Sequence, residues 1–84
     1  MTPLQKLAKD ALDVQDACNL SGVALGFGRA MVALREAQPE KDTNFYNTHP
    51  VAVLWSSKIA SLTGSESMTN FSRAYEACKA LVGS

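Results

Sequence analysis

The side chain with the most obvious capacity for catalysis is the single histidine, His49. Its ordinary pKa lies near neutrality, so it could act as a general base. However, no serine or cysteine stands in a sequence context typical of an activated nucleophile, and His49 has no convincing acidic partner. A histidine directly before a proline at a helix start more often makes a structural hydrogen bond. We therefore predict no catalytic residue and no enzymatic activity.

A second candidate is the serine-rich segment at residues 55–61, WSSKIAS. Ser57 and Ser61 are four residues apart and would share one face of a helix, with Lys58 at its edge. Hydroxyl donors beside a cation suit a phosphate or carboxylate ligand. The same small side chains also allow tight helix crossing, with the hydroxyls bonded to the preceding turn. Both interpretations are open from the sequence.

A third group of polar side chains surrounds the predicted helix start near residue 49. Free backbone N–H groups at such a start attract anions. Tyr46, Asn47 and His49 lie beside it in sequence, and Arg29 or Arg73 could add positive charge. This arrangement would suit a phosphorylated ligand, although either arginine can equally be a solvated charge on a helix face.

Composition excludes several classes of protein. Eight basic and eight acidic residues give a formal net charge of zero, with no basic face of the kind that general nucleic-acid binders use. With two cysteines, one histidine and no CxxC pair, we predict neither a metal site nor a cofactor. No signal peptide or membrane-spanning stretch is evident, so we expect a cytoplasmic protein with reduced thiols.

The elements that must position these residues are helices. Apolar residues recurring every three or four positions predict an all-α fold, a single domain over residues 1–84 with helices near 3–18, 20–37, 49–63 and 67–82. Thr2 and Gln5 form a capping-box pattern. Asn47 or Thr48 is the predicted cap of the third helix, Ser65 or Ser67 that of the fourth, and residues 38–44 are predicted to be a surface loop. So small a domain buries limited surface, which favours homo-oligomerisation.

Glycines inside the second helix need an explanation, because each costs up to about 1 kcal/mol relative to alanine. Gly22 and Gly26 are four residues apart and share a face. They could let another helix approach closely, from the same chain or a second copy. Alternatively, they could leave room for a large side chain such as Trp55 or Phe71.

Residues 14–23 (VQDACNLSGV), 47–51 (NTHPV) and 56–64 (SSKIASLTG) resemble a group of short uncharacterised proteins from bacteriophages and prophages. The similarity extends from about Ala11 to Tyr75. The resemblance implies a context and no particular activity: small phage proteins of this type often act as counter-defence factors that capture a signalling nucleotide or block a host effector. It marks the polar residues of these stretches as site candidates: Asn19, Ser21, His49, Ser57, Lys58 and Ser61.

Together these arguments predict a phage-type counter-defence protein that sequesters a small phosphorylated or nucleotide-like ligand as a homo-oligomer, in the host cytoplasm if it is phage-encoded. The expected ligand-binding residues are Asn19, Ser21, Arg29, Tyr46, Asn47, His49, Ser57, Lys58 and Ser61. One alternative is a protein–protein inhibitor of a host defence complex, similar in action to an anti-CRISPR, with exposed aromatic hot spots at Phe45, Tyr46 or Trp55. Another is a structural or regulatory subunit of a phage assembly.

Overall fold

The computed structural model describes residues 1–65 and 70–84. They form five α-helices and one 3-10 turn, with no strand among the described residues: α1 (Pro3–Asp13), the 3-10 turn (Val14–Asp16), α2 (Leu20–Ala37), α3 (Thr43–Thr48), α4 (Pro50–Thr63) and α5 (Phe71–Gly83). The predicted all-α fold is confirmed, with one more helix than expected. Helix α4 is central, because it packs against each of the other four α-helices.

The start of α1 is held by the predicted capping box. The Thr2 hydroxyl accepts a hydrogen bond from the Gln5 N–H at 3.1 Å, and the Gln5 side-chain carbonyl accepts one from the Thr2 N–H at 2.9 Å. The amide nitrogen of Gln5 also donates to the backbone carbonyls of Leu81 and Ser84 at the end of α5. One glutamine therefore satisfies backbone groups at the start of α1 and at the end of α5.

The corner between α1 and α2 begins earlier than predicted. The first helix was predicted to extend to about residue 18. Instead, α1 ends at Asp13 and is followed by the 3-10 turn. The Gln15 side chain stabilises this exit by donating to the carbonyls of Ala11 and Leu54, so the turn is fastened to α4. Asn19 caps α2, its side-chain oxygen accepting from the Gly22 N–H at 3.2 Å.

Helix α3 lies partly in the segment predicted to be a loop. Asp42 caps it by accepting from the Phe45 N–H at 2.8 Å. Tyr46 is buried, and its hydroxyl donates to the Gln38 carbonyl at 2.7 Å and accepts from the Lys41 N–H at 3.2 Å. The helix is too short to show a repeating apolar pattern. Tyr46 is its one buried residue.

The predicted caps of α4 are wrong, and so is Ser65 as the cap of the last helix, where Asn70 precedes α5. The cap of α4 is His49, and not Asn47 or Thr48 as predicted. Ser65 instead completes the end of α4, where Gly64 has a positive φ of 80° and the Ser65 N–H donates to the Ala60 carbonyl at 2.8 Å. The predicted start of the last helix near residue 67, with Ser67 as its cap, lies outside the described residues.

The core surrounds α4. Its packing explains one of the two α2 glycines that share a face, Gly26, by the position of Trp55. A methyl group added at Gly26 would lie 2.6 Å from Cη2 of Trp55, so this glycine leaves room for the tryptophan ring. The nearest atoms to such a methyl at Gly22 belong to the capping Asn19 side chain. The largest side chains with no exposed surface are those of Leu34, Leu54, Val51 and Cys78.

Candidate functional site

One part of the predicted polar site lies at Lys58, which has a hydrogen-bond partner within the protein. The lysine is half-buried, and its ammonium group donates to the backbone carbonyl of Gln15 at 2.9 Å. This bond ties α4 to the 3-10 turn across 43 positions of sequence. Ser57 is half-buried and Ser61 exposed on the same helix. The lysine therefore has a structural partner, and any anion would have to compete with it.

His49 also has a structural partner, as the sequence predicted. Its Nδ1 accepts a hydrogen bond from the Val51 N–H at 3.2 Å, and its ring lies edge-on to Phe45 at a centroid distance of 5.7 Å. Nδ1 can accept only while it is unprotonated. Burial lowers the pKa of His49. The histidine therefore serves as a neutral helix cap.

This cap makes a contribution to stability that depends on pH. Because the pKa of His49 is lower in the folded chain, the unfolded chain binds the proton more readily, and stability falls as pH drops through the unfolded and then the folded pKa. We expect His49→Asn, which keeps a capping side chain, to lose less stability than the wild type between pH 7 and pH 5. Urea denaturation at both pH values measures the difference. Parallel losses in the two proteins would contradict this role.

Of three other predicted residues, Asn19 and Ser21 lie together at the start of α2, whereas Tyr46 belongs to α3. Asn19 is the cap of α2, Tyr46 is buried with its hydroxyl bonded to the backbone, and Ser21 is exposed on the first turn of α2. Two of the three rings proposed as exposed hot spots are buried: Tyr46 is 6% exposed and Trp55 8%. Phe45 is half-buried. The prediction of an exposed aromatic surface is therefore wrong for Tyr46 and Trp55.

Asn47 is brought together with Arg73, one of the two arginines considered as a source of positive charge. Both line a hollow of about 450 Å³ between α4 and α5, with Thr48 and Asn70 as its other polar residues. Neither Tyr46 nor His49 is part of this lining. Of the nine predicted ligand-binding residues, the hollow therefore contains only Asn47.

A larger feature lies between α1 and α2. We call it the α1–α2 groove, an opening of about 760 Å³ whose surface is mainly apolar. Trp55 of α4 contributes to its lining. Its lining residues are Pro3, Lys6, Leu7, Asp10, Asp13, Val14, Gly26, Arg29, Ala30, Ala33, Glu36, Ala37 and Trp55. Of the nine predicted site residues, only Arg29 belongs to this groove.

The face of α2 beside this groove exposes aliphatic side chains. We call it the α2 ridge, and define it as the four exposed residues Ala24, Leu25, Gly28 and Val32. Leu25 is 58% exposed and Val32 57%. The apolar stripe that the sequence predicts for α2 is Leu20, Val23, Ala24, Phe27, Ala30, Met31 and Leu34, which includes Ala24 but omits Leu25 and Val32. The available signal was the spacing of Leu25 and Val32, seven residues apart and off the predicted stripe.

The border of the groove carries both signs of charge. Lys6, Asp10 and Asp13 come from α1, and Arg29 and Glu36 from α2. Asp13 is paired with Lys9 at 2.9 Å. Within residues 1–65 and 70–84, no ion pair includes Lys6, Asp10, Arg29 or Glu36. The groove therefore carries two positive and two negative charges that no described residue pairs.

The two cysteines differ in their exposure to solvent. Cys18 is exposed and Cys78 buried, and both are free. Burial raises the pKa of Cys78 to about 11, so its thiol stays protonated and unreactive near neutral pH. The part of the chain that the structure describes contains no cluster of three or more potential metal ligands.

No protein-family model matches the chain, and no curated protein or solved structure shows significant similarity to it. Among the described helices, none combines the length and apolar character needed to cross a membrane.

Proposed function

We propose that the protein is a non-catalytic binding protein that acts by protein–protein contact through the α1–α2 groove and the α2 ridge. The observation that carries this proposal is the continuity of the two features: a mainly apolar groove adjoins an exposed aliphatic ridge on the same helix. A contiguous apolar area that stays exposed on a protein is often an interaction site. The resemblance to phage proteins suggests an inhibitor of a host defence complex as the form of this activity.

Three predicted ligand residues have roles that favour a protein partner over a small phosphorylated ligand. The Lys58 ammonium group, the His49 ring and the Tyr46 hydroxyl all make hydrogen bonds to the backbone. The groove offers an apolar floor with charges of both signs at its border. Such a surface suits the apolar face of an amphipathic helix better than a phosphate. The hot spots are then aliphatic, at Leu25 and Val32.

We place this activity in the cytoplasm. Both cysteines are free, as expected for a protein kept in a reducing compartment. Self-association is compatible with the same surface, since the formal net charge of zero adds no overall repulsion between copies.

Site-specific photocrosslinking tests the proposal. A photoreactive phenylalanine analogue replaces Val32 on the ridge, or Ser72, an exposed residue of α5, in cells in which the protein naturally occurs. We expect covalent adducts with a second protein from position 32 and not from position 72. Adding Leu25→Ser should reduce those adducts, because it replaces an apolar contact with a hydroxyl.

Three outcomes would contradict the proposal: no adduct at position 32, equal adducts at positions 32 and 72, or adducts that contain only this chain. Circular dichroism of the purified variants verifies that each is folded. All three substituted side chains are exposed, so the fold should tolerate the changes.

A further inference from the structure

The two walls of the α1–α2 groove show the residue spacing of helices that pack against another helix. Four lining residues on each wall follow one another at intervals of four, three and four positions. They are Pro3, Leu7, Asp10 and Val14 on the α1 side and Gly26, Ala30, Ala33 and Ala37 on the α2 side. These intervals keep side chains on one face of a helix. Because the α2 set contains only glycine and alanine, a third helix can lie close to α2.

The backbone chemistry of the groove also suits a helix better than an extended segment. Both walls are α-helices, whose interior backbone groups are already hydrogen-bonded within each helix. An extended segment would place unpaired backbone groups against a mainly apolar surface. A helical occupant satisfies these groups internally. From Pro3 to Asp13, α1 covers about 15 Å along the groove, which corresponds to about three helical turns.

The end of α1 and the beginning of the α2 wall lie at the same end of the groove, beside Trp55. The side chain of Gln15, directly after the last lining residue of the α1 side, donates to the Leu54 carbonyl at 3.3 Å. A methyl group at Gly26 would lie 2.6 Å from the ring of Trp55, the next residue of α4. Only a short corner joins α1 to α2, as in antiparallel helix pairs. The two walls therefore run away from Trp55 in opposite chain directions.

The unpaired charges follow opposite orders on the two walls. Going away from Trp55, the α1 wall presents Asp10 and then Lys6, whereas the α2 wall presents Arg29 and then Glu36. All four side chains are exposed, and none belongs to an ion pair among the described residues. An occupant of uniform charge would meet as many like charges as opposite ones. Only an occupant that carries both signs in the matching order is complementary to all four.

We propose that the α1–α2 groove binds an amphipathic helix of about three turns on a partner protein, with its apolar face toward the groove and both signs of charge on its flanks. The flank facing α1 carries a basic residue near Trp55 and an acidic residue further from it. The flank facing α2 carries an acidic residue near Trp55 and a basic residue further from it. This inference rests on the proposed function, because it identifies the segment of the partner that occupies the groove. The order of the charges then selects the partner.

Two designed peptides test the inference. Each is a helix of about 15 residues, held helical by a side-chain bridge on its solvent face, without tryptophan and with the same apolar face of alanine and leucine. They have the same composition, but one carries the proposed order of charges and the other the reverse. Trp55 is the only tryptophan of the chain and lines the groove, so its fluorescence reports occupation. We expect the complementary peptide to bind at least tenfold more tightly.

Reversing the charges of the groove should reverse this preference. The variant combines Lys6→Glu, Asp10→Lys, Arg29→Glu and Glu36→Lys, which leaves the net charge unchanged. We expect it to bind the reversed peptide more tightly than the complementary one, since the signs again match at all four positions. The matched control is Arg73→Glu combined with Glu76→Arg on α5, because both residues lie outside the groove. It should keep the wild-type preference.

A pair of identical changes on α2 tests whether the peptide lies in the groove. Ala33 lines the groove, whereas Ala24 is exposed on the same helix outside its lining. Ala33→Gln places a longer polar side chain in the path of the peptide and should weaken binding at least tenfold. Ala24→Gln should leave the binding constant unchanged. Circular dichroism of each variant verifies that a lost interaction is not a lost fold.

The inference would be overturned if neither peptide binds, if both bind equally, or if the charge-reversed variant keeps the wild-type preference. Equal losses in Ala33→Gln and Ala24→Gln would also overturn it. Failure here is distinguishable from failure of the proposed function. If position 32 still crosslinks to a second protein while the peptides show no preference, the function stands and the charged helix is not the occupant of the groove.

Discussion

Leu54→Ala will destabilise the folded protein by about 2–5 kcal/mol, the usual range for a fully buried leucine. Leu54 has no exposed surface and lies on α4, the helix that packs against all the other α-helices. Removing its branched end takes away apolar contacts and leaves a cavity. A domain of 84 residues has a total stability of roughly 4–13 kcal/mol. The loss is therefore a large fraction of the total stability, and at the low end of that range it would leave the variant unfolded.

Urea denaturation followed by far-ultraviolet circular dichroism measures this loss. The matched control is Leu25→Ala, the same change at a side chain that is 58% exposed. It should alter the free energy of unfolding by no more than about 0.5 kcal/mol when measured at a concentration where the protein is monomeric. Comparable losses at both positions would mean that α4 is not the centre of the core.

The long helices could be predicted from the sequence because their apolar residues recur once per turn. α2 was predicted at its observed limits, and α4 to within one residue of its observed start. This periodicity is a local property that the chain carries without reference to its tertiary contacts. α3 could not be predicted in the same way. It has six residues and depends on the Tyr46 hydroxyl, which bonds to the Gln38 carbonyl outside the helix.

The candidate site was harder to predict, for a physical reason. A serine, histidine or lysine has the same capacity to donate or accept whether its partner is a ligand or the backbone. Lys58 bonds to Gln15, which is 43 positions away, so only the tertiary fold reveals that its ammonium group is already occupied. For His49, the structural hydrogen bond was the favoured prediction and is confirmed, because a helix start is a local feature.

The α2 ridge was missed although its signal lies within a short stretch of sequence. Its signal was local, since Leu25 and Val32 lie seven residues apart on the face of α2 opposite the core stripe. A helix in a small monomer needs only one apolar face. The exposed Leu25 and Val32 are therefore not explained by the core of this chain, and they are the observation behind the proposed protein contact.

Gly26→Ala should destabilise the protein by about 1–2 kcal/mol, although alanine is the better helix former. The added methyl would lie 2.6 Å from Cη2 and 2.8 Å from Cζ3 of Trp55. Overpacking of this kind costs about 1–3 kcal/mol, and the gain in helix propensity offsets only up to about 1 kcal/mol of it. The ring cannot swing away freely, because Trp55 is only 8% exposed. A melting temperature lower by several degrees is the expected result.

Gly28→Ala is the matched control on the same helix. Apart from the helix's own nearby backbone and the two neighbouring residues, no atom of the described residues lies within 4 Å of a methyl added there. The variant therefore keeps the gain in helix propensity and should be more stable by up to about 1 kcal/mol. Thermal unfolding at low concentration compares the two variants as monomers, and Trp55 fluorescence should change in Gly26→Ala alone. Equal stabilisation in both would show that the tryptophan ring can move aside, and the absence of a side chain at position 26 would then need another explanation.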